Sequence, residues 1–323
     1  MIPRPILPPE CRLKGRFKGL PKGIIQIMIR TVSWASIILW LEERAILKGA
    51  FLKEESVVTD LSERAGQNLK AIRERKPLIH NITNYVVMNY TANALLAMGA
   101  SPVMAHSKGE VEEMVSFAAT LVLNIGTLDD DWVTSMVIAG KKASENHTPI
   151  ILDPVGSGAT TLRTQAAKQI IQKTHLSVIR GNASEILSLR HEDSQTKGVD
   201  SIHSVEEAAQ TAGVLAEELK TTLAITGVVD LVTDGSRAIR VSNGHPLMGY
   251  VTGTGCTATA IIGAFLAVDE DTVSATATAL AFLGLAGEIA AKNASAPGSF
   301  MIQLLDALYT ITPEQLKEGG KIE

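Results

Sequence analysis

Apolar and polar positions follow a regular pattern from about residue 57 to the end of the chain. Short runs that are apolar throughout, such as "TLVLNIG" and "TPIILDPVGSG", are separated by longer segments with helical spacing, such as "SVEEAAQTAGVLAEELK". Fully apolar strands that alternate with helices are typical of a parallel sheet covered on both faces. The pattern therefore predicts an α/β fold with a mostly parallel central sheet and helices on both faces.

Individual segments extend this prediction along the chain. Strands are predicted at "SPVMA", "TLVLNIG", "TPIILDPVGSG", "LSVIRGN" and "TTLAITG", whereas "NITNYVVMNYTANALLAMGA" predicts a loop followed by a helix. Two β-rich runs around Asp234-Gly235 predict a hairpin, and Ala-rich helices follow it. No internal repeat or low-complexity linker interrupts the pattern, so we predict a single domain over residues 56–323.

Residues 1–55 differ from the rest of the chain. The first fifty residues hold nine Lys/Arg and three Asp/Glu, a charge of +6, which leaves −10 for the remainder of a chain with net charge −4. Their run "GIIQIMIRTVSWASIILWLEE" is interrupted by Gln26 and Arg30, so it lacks a clean span of about 20 apolar residues. It also lacks the small-residue cleavage site of a signal peptide. We interpret residues 1–55 as a disordered or mis-assigned start, or an appended helix, rather than a membrane anchor.

Composition narrows the class of protein. The chain of 323 residues is 46% hydrophobic and 20% charged, which is ordinary for a soluble globular protein. Its net charge of −4 and its aromatic content of 4% give no reason to expect a nucleic-acid partner. Two cysteines far apart, Cys11 and Cys256, without a secretion signal favour a reduced, cytoplasmic protein over a disulfide framework.

Polar side chains follow several of the predicted strands, where open α/β sheets bind ligands. Asp153 and Glu185 come after neighbouring strands and could together hold a hydrated Mg²⁺, although each could instead cap a turn or a helix. Arg180 could pair with an acid or grip a phosphate with its planar fork. Thr226 ends a strand, and beside a nucleotide it would be a hydroxyl ligand.

The stretch "VTGTGCTATAIIGAF" predicts a glycine turn at residues 253–255 that opens onto a helix, with Cys256 at the helix start. A helix start presents unpaired N–H groups and a partial positive charge, so it favours anions and is expected to lower the pKa of a thiol. The chain has neither a "GxxxxGK[ST]" phosphate loop nor a "GxGxxG" fingerprint. From the residues alone, Cys256 could be a nucleophile, a proton acceptor or a packing residue.

Six motifs taken together resemble one family. "HNITNYVVMNYTANALLAMGASPVMAHS", "LVLNIGTL", "PIILDPVGSGAT", "IRGNASEI", "AITGVVD" and "VTGTGC" occur in the order seen in hydroxyethylthiazole kinases, over residues 57–319. The resemblance implies a ribokinase-like fold and a homotrimer with sites between subunits. It also implies ATP-dependent phosphorylation of 4-methyl-5-(2-hydroxyethyl)thiazole in thiamine synthesis or salvage.

The resemblance also implies roles for single residues. For the thiazole, it implies contacts from Met104 in "SPVM", Asn84 in "NITN" and the backbone of Gly253. The position of Cys256 matches that of the group that receives the hydroxyl proton; related kinases of this fold carry Asp there. This match favours a proton acceptor over a covalent nucleophile.

For the nucleotide, the resemblance implies that Arg180 and Thr226 bind ATP phosphates and that Asp153 and Glu185 organise Mg²⁺. Three alternatives remain at this point. They are another kinase of the same fold acting on a hydroxymethylpyrimidine or a sugar, an ATP-dependent dehydratase of the same broad fold, and a non-catalytic thiazole or thiamine sensor.

Overall fold

The strands form a single mixed sheet. The computed structural model describes residues 61–190 and 205–323, with the backbone alone for 205–210. Strands β1 to β8 are Leu78–Ile82, Ser101–Val103, Thr120–Asn124, Ile150–Asp153, Val178–Gly181, Thr222–Ile225, Asp230–Thr233 and Ala238–Val241. Within these ranges they form an eight-stranded sheet in the order β2-β1-β3-β4-β5-β6-β7-β8. Strands β1 to β6 are parallel and β7 and β8 antiparallel, which confirms the predicted sheet and hairpin.

Helices connect the parallel strands. Helices α1 to α11 cover 61–75, Met88–Met98, Val111–Phe117, Asp130–Glu145, Thr161–Lys173, Ala183–Leu187, Val205–Leu219, Thr254–Leu266, Thr272–Asn293, Pro297–Thr310 and Pro313–Gly319. A 3₁₀ helix, Pro246–Tyr250, leads into the turn before α8. Helices α2, α7, α8 and α9 lie where the hydrophobic pattern predicts helices. Residues 1–55, which we interpret above from their sequence, lie outside the residues that the structure describes.

Strand β1 was not predicted, because polar residues interrupt its apolar run. His80 and Asn81 lie in its centre, and both are fully buried. His80 Nε2 is hydrogen-bonded to the carbonyl oxygen of Ala105 at 2.7 Å, and Asn81 Nδ2 donates to the carbonyl oxygen of Ile79 at 2.8 Å. These local partners satisfy one nitrogen of His80 and the amide nitrogen of Asn81, whereas His80 Nδ1 and Asn81 Oδ1 are buried without a partner in the described part of the chain.

Alternate residues of the strands point into two apolar layers. Ile151 and Val178 face the layer formed with α1, α2 and α8 to α11, whereas Leu152 and Ile179 face the layer formed with α3 to α7. Each large aliphatic side chain buried in this way contributes about 1.5–3 kcal/mol to folding. Helix α8 packs on β1, β3 and β4, and this places its first turn near the carboxyl ends of the strands.

Helix α9 is the strongest candidate for a membrane span among the described helices. Thr272–Asn293 is long and apolar enough to cross a membrane by length and composition. Most of that helix is nevertheless buried inside the protein, against α8 and α10. It is therefore a core helix, and its apolar surface is used in folding.

Candidate active site

The predicted polar residues meet at the carboxyl ends of β3 to β6, beside the start of α8. Asn124 and Asp153 end β3 and β4, and they lie opposite each other in the parallel register. Arg180 lies in β5 and Thr226 follows β6. The site therefore occupies the edge of the sheet where open α/β proteins bind their ligands.

Asp153 is the buried acid at the centre of the site, with 1% of its surface exposed. Its Oδ2 accepts hydrogen bonds from Asn124 Nδ2 and Thr259 Oγ1, both at 2.8 Å, and lies 3.6 Å from Arg180 Nη1. Its Oδ1 is buried without a partner. Burial raises the pKa of Asp153, and the Arg180 charge opposes that rise. The carboxylate therefore has an open position for a cation or a donor.

Glu185, the second predicted acid, is fixed by backbone groups. Its Oε1 accepts the N–H of Gly156 at 2.8 Å, and its Oε2 accepts the N–H of Asn182 at 2.9 Å as part of the capping box of α6. Its negative charge acts on Asp153 and helps to raise the pKa of that carboxyl. Glu185 and Asp153 thus form one acidic region. Their interaction is electrostatic, and no hydrogen bond joins them within the described residues.

Two acids suit a metal that keeps most of its water. No cluster of three or more His, Cys, Asp or Glu within the described ranges is arranged to hold a metal ion. Mg²⁺ commonly binds through one or two carboxylates, several waters and substrate phosphates. The free Oδ1 of Asp153, near the charge of Glu185, fits this kind of ion.

Arg180 lies against the first turn of α8 because Gly255 has no side chain. A Cβ at Gly255 would lie 2.7 Å from Arg180 Nη1, which is closer than real Cβ contacts allow. Arg180 Nη2 donates to Thr226 Oγ1 at 2.5 Å, while its buried Nε has no partner. The Arg180 guanidinium is thus held beside both Asp153 and the start of α8, and its Nε remains available as a donor.

The helix start itself has the predicted form. Gly253 is the N-cap with φ of 85°, a left-handed conformation, and no side chain caps the helix. A Cβ at Gly253 would lie 2.5 Å from Val87 Cγ1, so the glycine also permits close packing against the loop that carries Asn84. The N–H of Thr254 donates to the carbonyl oxygen of Val251 at 3.5 Å, whereas the N–H groups of Gly255 and Cys256 have no partner in the described part of the chain and can donate to an anion.

Cys256 lies in this first turn and is partly buried. Asn84 Nδ2 donates to its Sγ at 3.5 Å. Burial raises the pKa of the Cys256 thiol, and the nearby charge of Asp153 adds to the rise. The expectation that the helix start lowers this pKa is wrong, since burial and the charge of Asp153 raise it.

The eight positions named from the sequence are connected to different degrees. Five of them belong to one network of hydrogen bonds and ion pairs that passes through Asn124: Asn84, Asp153, Arg180, Thr226 and Cys256. Glu185 acts on this network through its charge, and Gly253 caps the helix beside it. Met104 follows the edge strand β2, outside the network, in a segment tied to β1 by the bond between His80 and Ala105.

Sequence reasoning missed three residues of the site. Asn124 ends an apolar strand, which is the same signal that identified Asp153. Thr259 gives no signal of its own in an Ala-rich helix. Asp230 accepts the N–H of Gly227 at 2.9 Å, and burial raises its pKa to about 6.

A cavity of about 540 Å³ adjoins the charged side of the network. Arg180, Thr226 and Gly255 line one end, and Asp230 is also part of its wall. Apolar side chains of α8 and α9, including Leu280 and Leu283, line another part. Its volume lies in the range of small-molecule and cofactor sites, with a charged end and an apolar wall.

The fold identifies the structural class to which the protein belongs. A ribokinase-like superfamily protein from Enterococcus faecalis V583 superposes with a TM-score of 0.54 at 15% identity, covering 79% of this chain and 95% of that chain. At this identity the likeness shows the fold alone, which is the ribokinase-like α/β fold.

The family follows from closer relatives. Residues 69–314 match the model of the Hydroxyethylthiazole kinase family. The hydroxyethylthiazole kinase of Desulfotalea psychrophila is 66% identical over 266 residues, which is 82% of this chain and 97% of the relative. The structure of the hydroxyethylthiazole kinase protein from Pyrococcus horikoshii OT3 superposes with a TM-score of 0.75 at 47% identity, over 80% of this chain and 98% of that chain. The chain belongs to the hydroxyethylthiazole kinase family, and it is a kinase.

Proposed function

We propose that the protein transfers the γ-phosphoryl group of ATP to the hydroxyl of 4-methyl-5-(2-hydroxyethyl)thiazole, a step of the thiamine pathway. The observation that carries the proposal is the continuous network from Cys256, through Asn84 and Asn124, to Asp153 and its neighbour Arg180. It joins a neutral side suited to an alcohol with a charged side suited to phosphates.

The charged side binds the nucleotide. ATP occupies the cavity beside Arg180, with its phosphates towards Arg180, Thr226 and the first turn of α8. Phosphoryl transfer depends mainly on positioning and on stabilising charge spread over the phosphoryl oxygens. The N–H groups after Gly253 and the spare donor of Arg180 supply that stabilisation.

Asp153 and Glu185 would hold Mg²⁺ on the same side. The buried, unpartnered Oδ1 of Asp153 supports this assignment, since a bound cation would satisfy it. When bound, Mg²⁺ neutralises phosphate charge. Thr259 and Asn124 fix the other carboxylate oxygen, so Asp153 keeps one orientation.

The neutral side binds the alcohol. Met104, Asn84 and the backbone of Gly253 contact the thiazole, and Cys256 positions the hydroxyl. Because its pKa is raised, the thiol is mostly protonated near neutral pH, and the thiolate fraction accepts the hydroxyl proton late in the transfer. The hydrogen bond from Asn84 to Cys256 Sγ supports this role, because it orients the sulfur lone pairs. A covalent phospho-cysteine is not part of the mechanism.

Cys256 variants test that role. Cys256→Ala is expected to lower kcat by about 10²–10³-fold. Some activity should remain, because the anion-binding groups are still present. Cys256→Asp restores a proton acceptor and is expected to be more active than the alanine variant. An aspartate variant that binds both substrates but is as slow as Cys256→Ala, or phospho-cysteine found by mass spectrometry, would overturn the proton-acceptor role.

The protein acts as a cytoplasmic homotrimer with sites between subunits, through a single domain over residues 56–323. Tyr85 and Val86, next to Asn84, are 61% and 63% exposed, and such side chains support a subunit contact beside the site. Light scattering of the purified protein tests the trimer. Equal activity of the full-length chain and a chain that starts at Ser56 would support the domain boundary.

A coupled kinase assay tests the activity. The full-length protein is given Mg-ATP with the thiazole alcohol, with hydroxymethylpyrimidine or with ribose, and both ADP and phosphorylated product are measured. We expect turnover with the thiazole alcohol and phosphothiazole as product. Preference for another alcohol, ADP without a phosphorylated organic product, or binding without turnover would favour the other kinases, the dehydratase or the sensor, respectively.

A further inference from the structure

Asn124 connects the two sides of the site through one buried carboxamide. It is 1% exposed at the end of β3. Its Nδ2 donates to Asp153 Oδ2 at 2.8 Å. Its Oδ1 accepts from Asn84 Nδ2 at 2.8 Å and from the N–H of Gly126 at 3.0 Å. Every link between Asp153 and Asn84 described above passes through this side chain.

The neighbours of Asn124 fix which way its carboxamide points. The N–H of Gly126 can only donate, so the oxygen of Asn124 must face it. An ionised Asp153 can only accept, so the amide nitrogen of Asn124 must face the carboxylate. A flipped amide would set donor against donor on one side and acceptor against acceptor on the other.

The fixed carboxamide dictates the orientation of Asn84 in turn. The oxygen of Asn124 requires an N–H from Asn84, and the second hydrogen of the same nitrogen points to Cys256 Sγ at 3.5 Å. Asn84 Oδ1 accepts the N–H of Val86 at 3.1 Å, which supports the same orientation. The donors and acceptors are therefore fixed from the Asp153 carboxylate to the sulfur: Asn124 donates to Asp153, and Asn84 donates both to Asn124 and to Cys256.

We propose that Asn124 is a positioning residue for phosphoryl transfer, which sets Asn84 as a donor to Cys256 and couples that orientation to Asp153. The inference rests on the proposed function, because it assigns the alcohol to the Cys256 side and the metal to the Asp153 side. Asn124 acts on the sulfur through Asn84 and also directly, because its side chain opposes the rise of the Cys256 pKa; it is not assigned a contact with substrate.

A double-mutant cycle tests this coupling. The kcat with the thiazole alcohol is measured for wild type, Asn84→Ala, Asn124→Ala and the double variant, together with the KM for ATP and the Tm. We expect Asn124→Ala to lower kcat by about 10–100-fold with the KM for ATP within about twofold. The double variant is expected to be at least fivefold more active than the product of the two single effects predicts, since both changes interrupt one path.

Thr257→Val supplies the matched control. Thr257 is fully buried on α8, next to Cys256, but its hydroxyl has no partner in the described part of the protein. Combined with Asn84→Ala, it should give independent effects. Asn124→Ser keeps a polar group beside Asp153, and it provides the same cycle if the alanine variant does not fold.

The outcomes separate this inference from the proposed function. Asn124→Ala with kcat within twofold of wild type, or a cycle with independent effects in an active enzyme, would overturn the inference alone. A wild-type protein that does not phosphorylate the thiazole alcohol would remove the proposed function and this inference with it. A coupled cycle in kcat, with Tm values that match between variant and control, supports the positioning role.

Discussion

Two regions at opposite ends of helix α8 contain Asp and Arg side chains, but they pair them very differently. At the start of α8, Arg180 Nη1 lies 3.6 Å from Asp153 Oδ2, and Asp153 Oδ1 has no partner. Beyond the end of α8, Arg237 forms two bonds with Asp271, at 2.9 and 2.7 Å. The first region is buried and incompletely paired, and the second is at the surface and fully paired.

The difference appears in the pKa values of the two acids. Burial raises the pKa of Asp153, whereas hydrogen bonds from Arg237 hold the pKa of Asp271 well below its usual range. Folding alone favours pairs of the second kind, because each charge is compensated within the protein. An acid left partly unpaired in the interior costs stability, and such groups are typical of sites completed by a ligand. We therefore assign function to the first region and stability to the second.

Substitution of Asp153 is expected to have the largest effect on activity, and it tests whether this acid serves function or stability. Asp153→Asn should lower kcat by about 10²–10³-fold, because it removes the charge that we propose holds the metal. The unfolding free energy should stay equal or rise by up to about 1 kcal/mol, since a buried charge is lost. Kinetics and denaturant titration measure the two effects. A variant that is unstable yet as active as wild type would reverse the assignment.

A smaller effect is expected from Gly255→Ala, which displaces Arg180 without changing any polar group. The added Cβ meets Arg180 Nη1, so the guanidinium must move away from the helix start. We expect kcat/KM for ATP to fall about tenfold, a change of about 1.4 kcal/mol. Gly298→Ala is the control, because its Cβ would meet no atom within 4 Å. Equal kinetics for the two variants would show that Arg180 does not act on the nucleotide.

A pair of threonines on α8 offers a finer comparison. Thr259 donates to Asp153 Oδ2, whereas the Thr257 hydroxyl has no partner in the described structure, and both residues are fully buried. Thr259→Val should lower kcat by about 3–10-fold and stability by about 1 kcal/mol. Thr257→Val should leave kcat unchanged and stability equal or slightly higher. Similar losses for both would mean that helix packing, not the bond to Asp153, accounts for the effect.

The smallest effect is expected in the surface region. Asp271→Asn keeps an N-cap for α9 but removes the charge paired with Arg237, so stability should fall by about 0.5–1 kcal/mol with no change in kcat. Because the folded-state pKa of Asp271 lies below the unfolded value of about 3.9, the wild-type advantage is present above about pH 4. It should disappear as the pH falls further. Urea titrations at pH 7 and at pH 3 measure it, and an advantage that grows in acid would contradict the pairing.

The fold was predictable to a large extent because buried strands and amphipathic helices leave local patterns. Strand β1 was not predicted, because His80 and Asn81 interrupt its apolar run. Their burial is understood only from the hydrogen bonds that they make in the folded sheet. The same limit applies within the site. A polar residue at a strand end marked Asp153, but its partner Thr259 lies 106 positions away, and no local pattern connects them.

The pKa of Cys256 is the property that was most clearly predicted wrongly from the sequence. A helix start is a local feature, and it suggested a lowered pKa. Burial and the charge of Asp153 are properties of the folded chain, and they raise it instead. Charges from distant segments can thus reverse an inference drawn from one motif.

The most direct test of the account is a crystal structure with Mg²⁺ and a non-hydrolysable ATP analogue. We predict that the terminal phosphate accepts hydrogen bonds of about 3 Å from the N–H groups at the start of α8, with Arg180 beside it. We also predict a metal within reach of Asp153 Oδ1. A terminal phosphate bound far from Gly253 and Cys256, with Asp153 still unpartnered, would contradict the central claim.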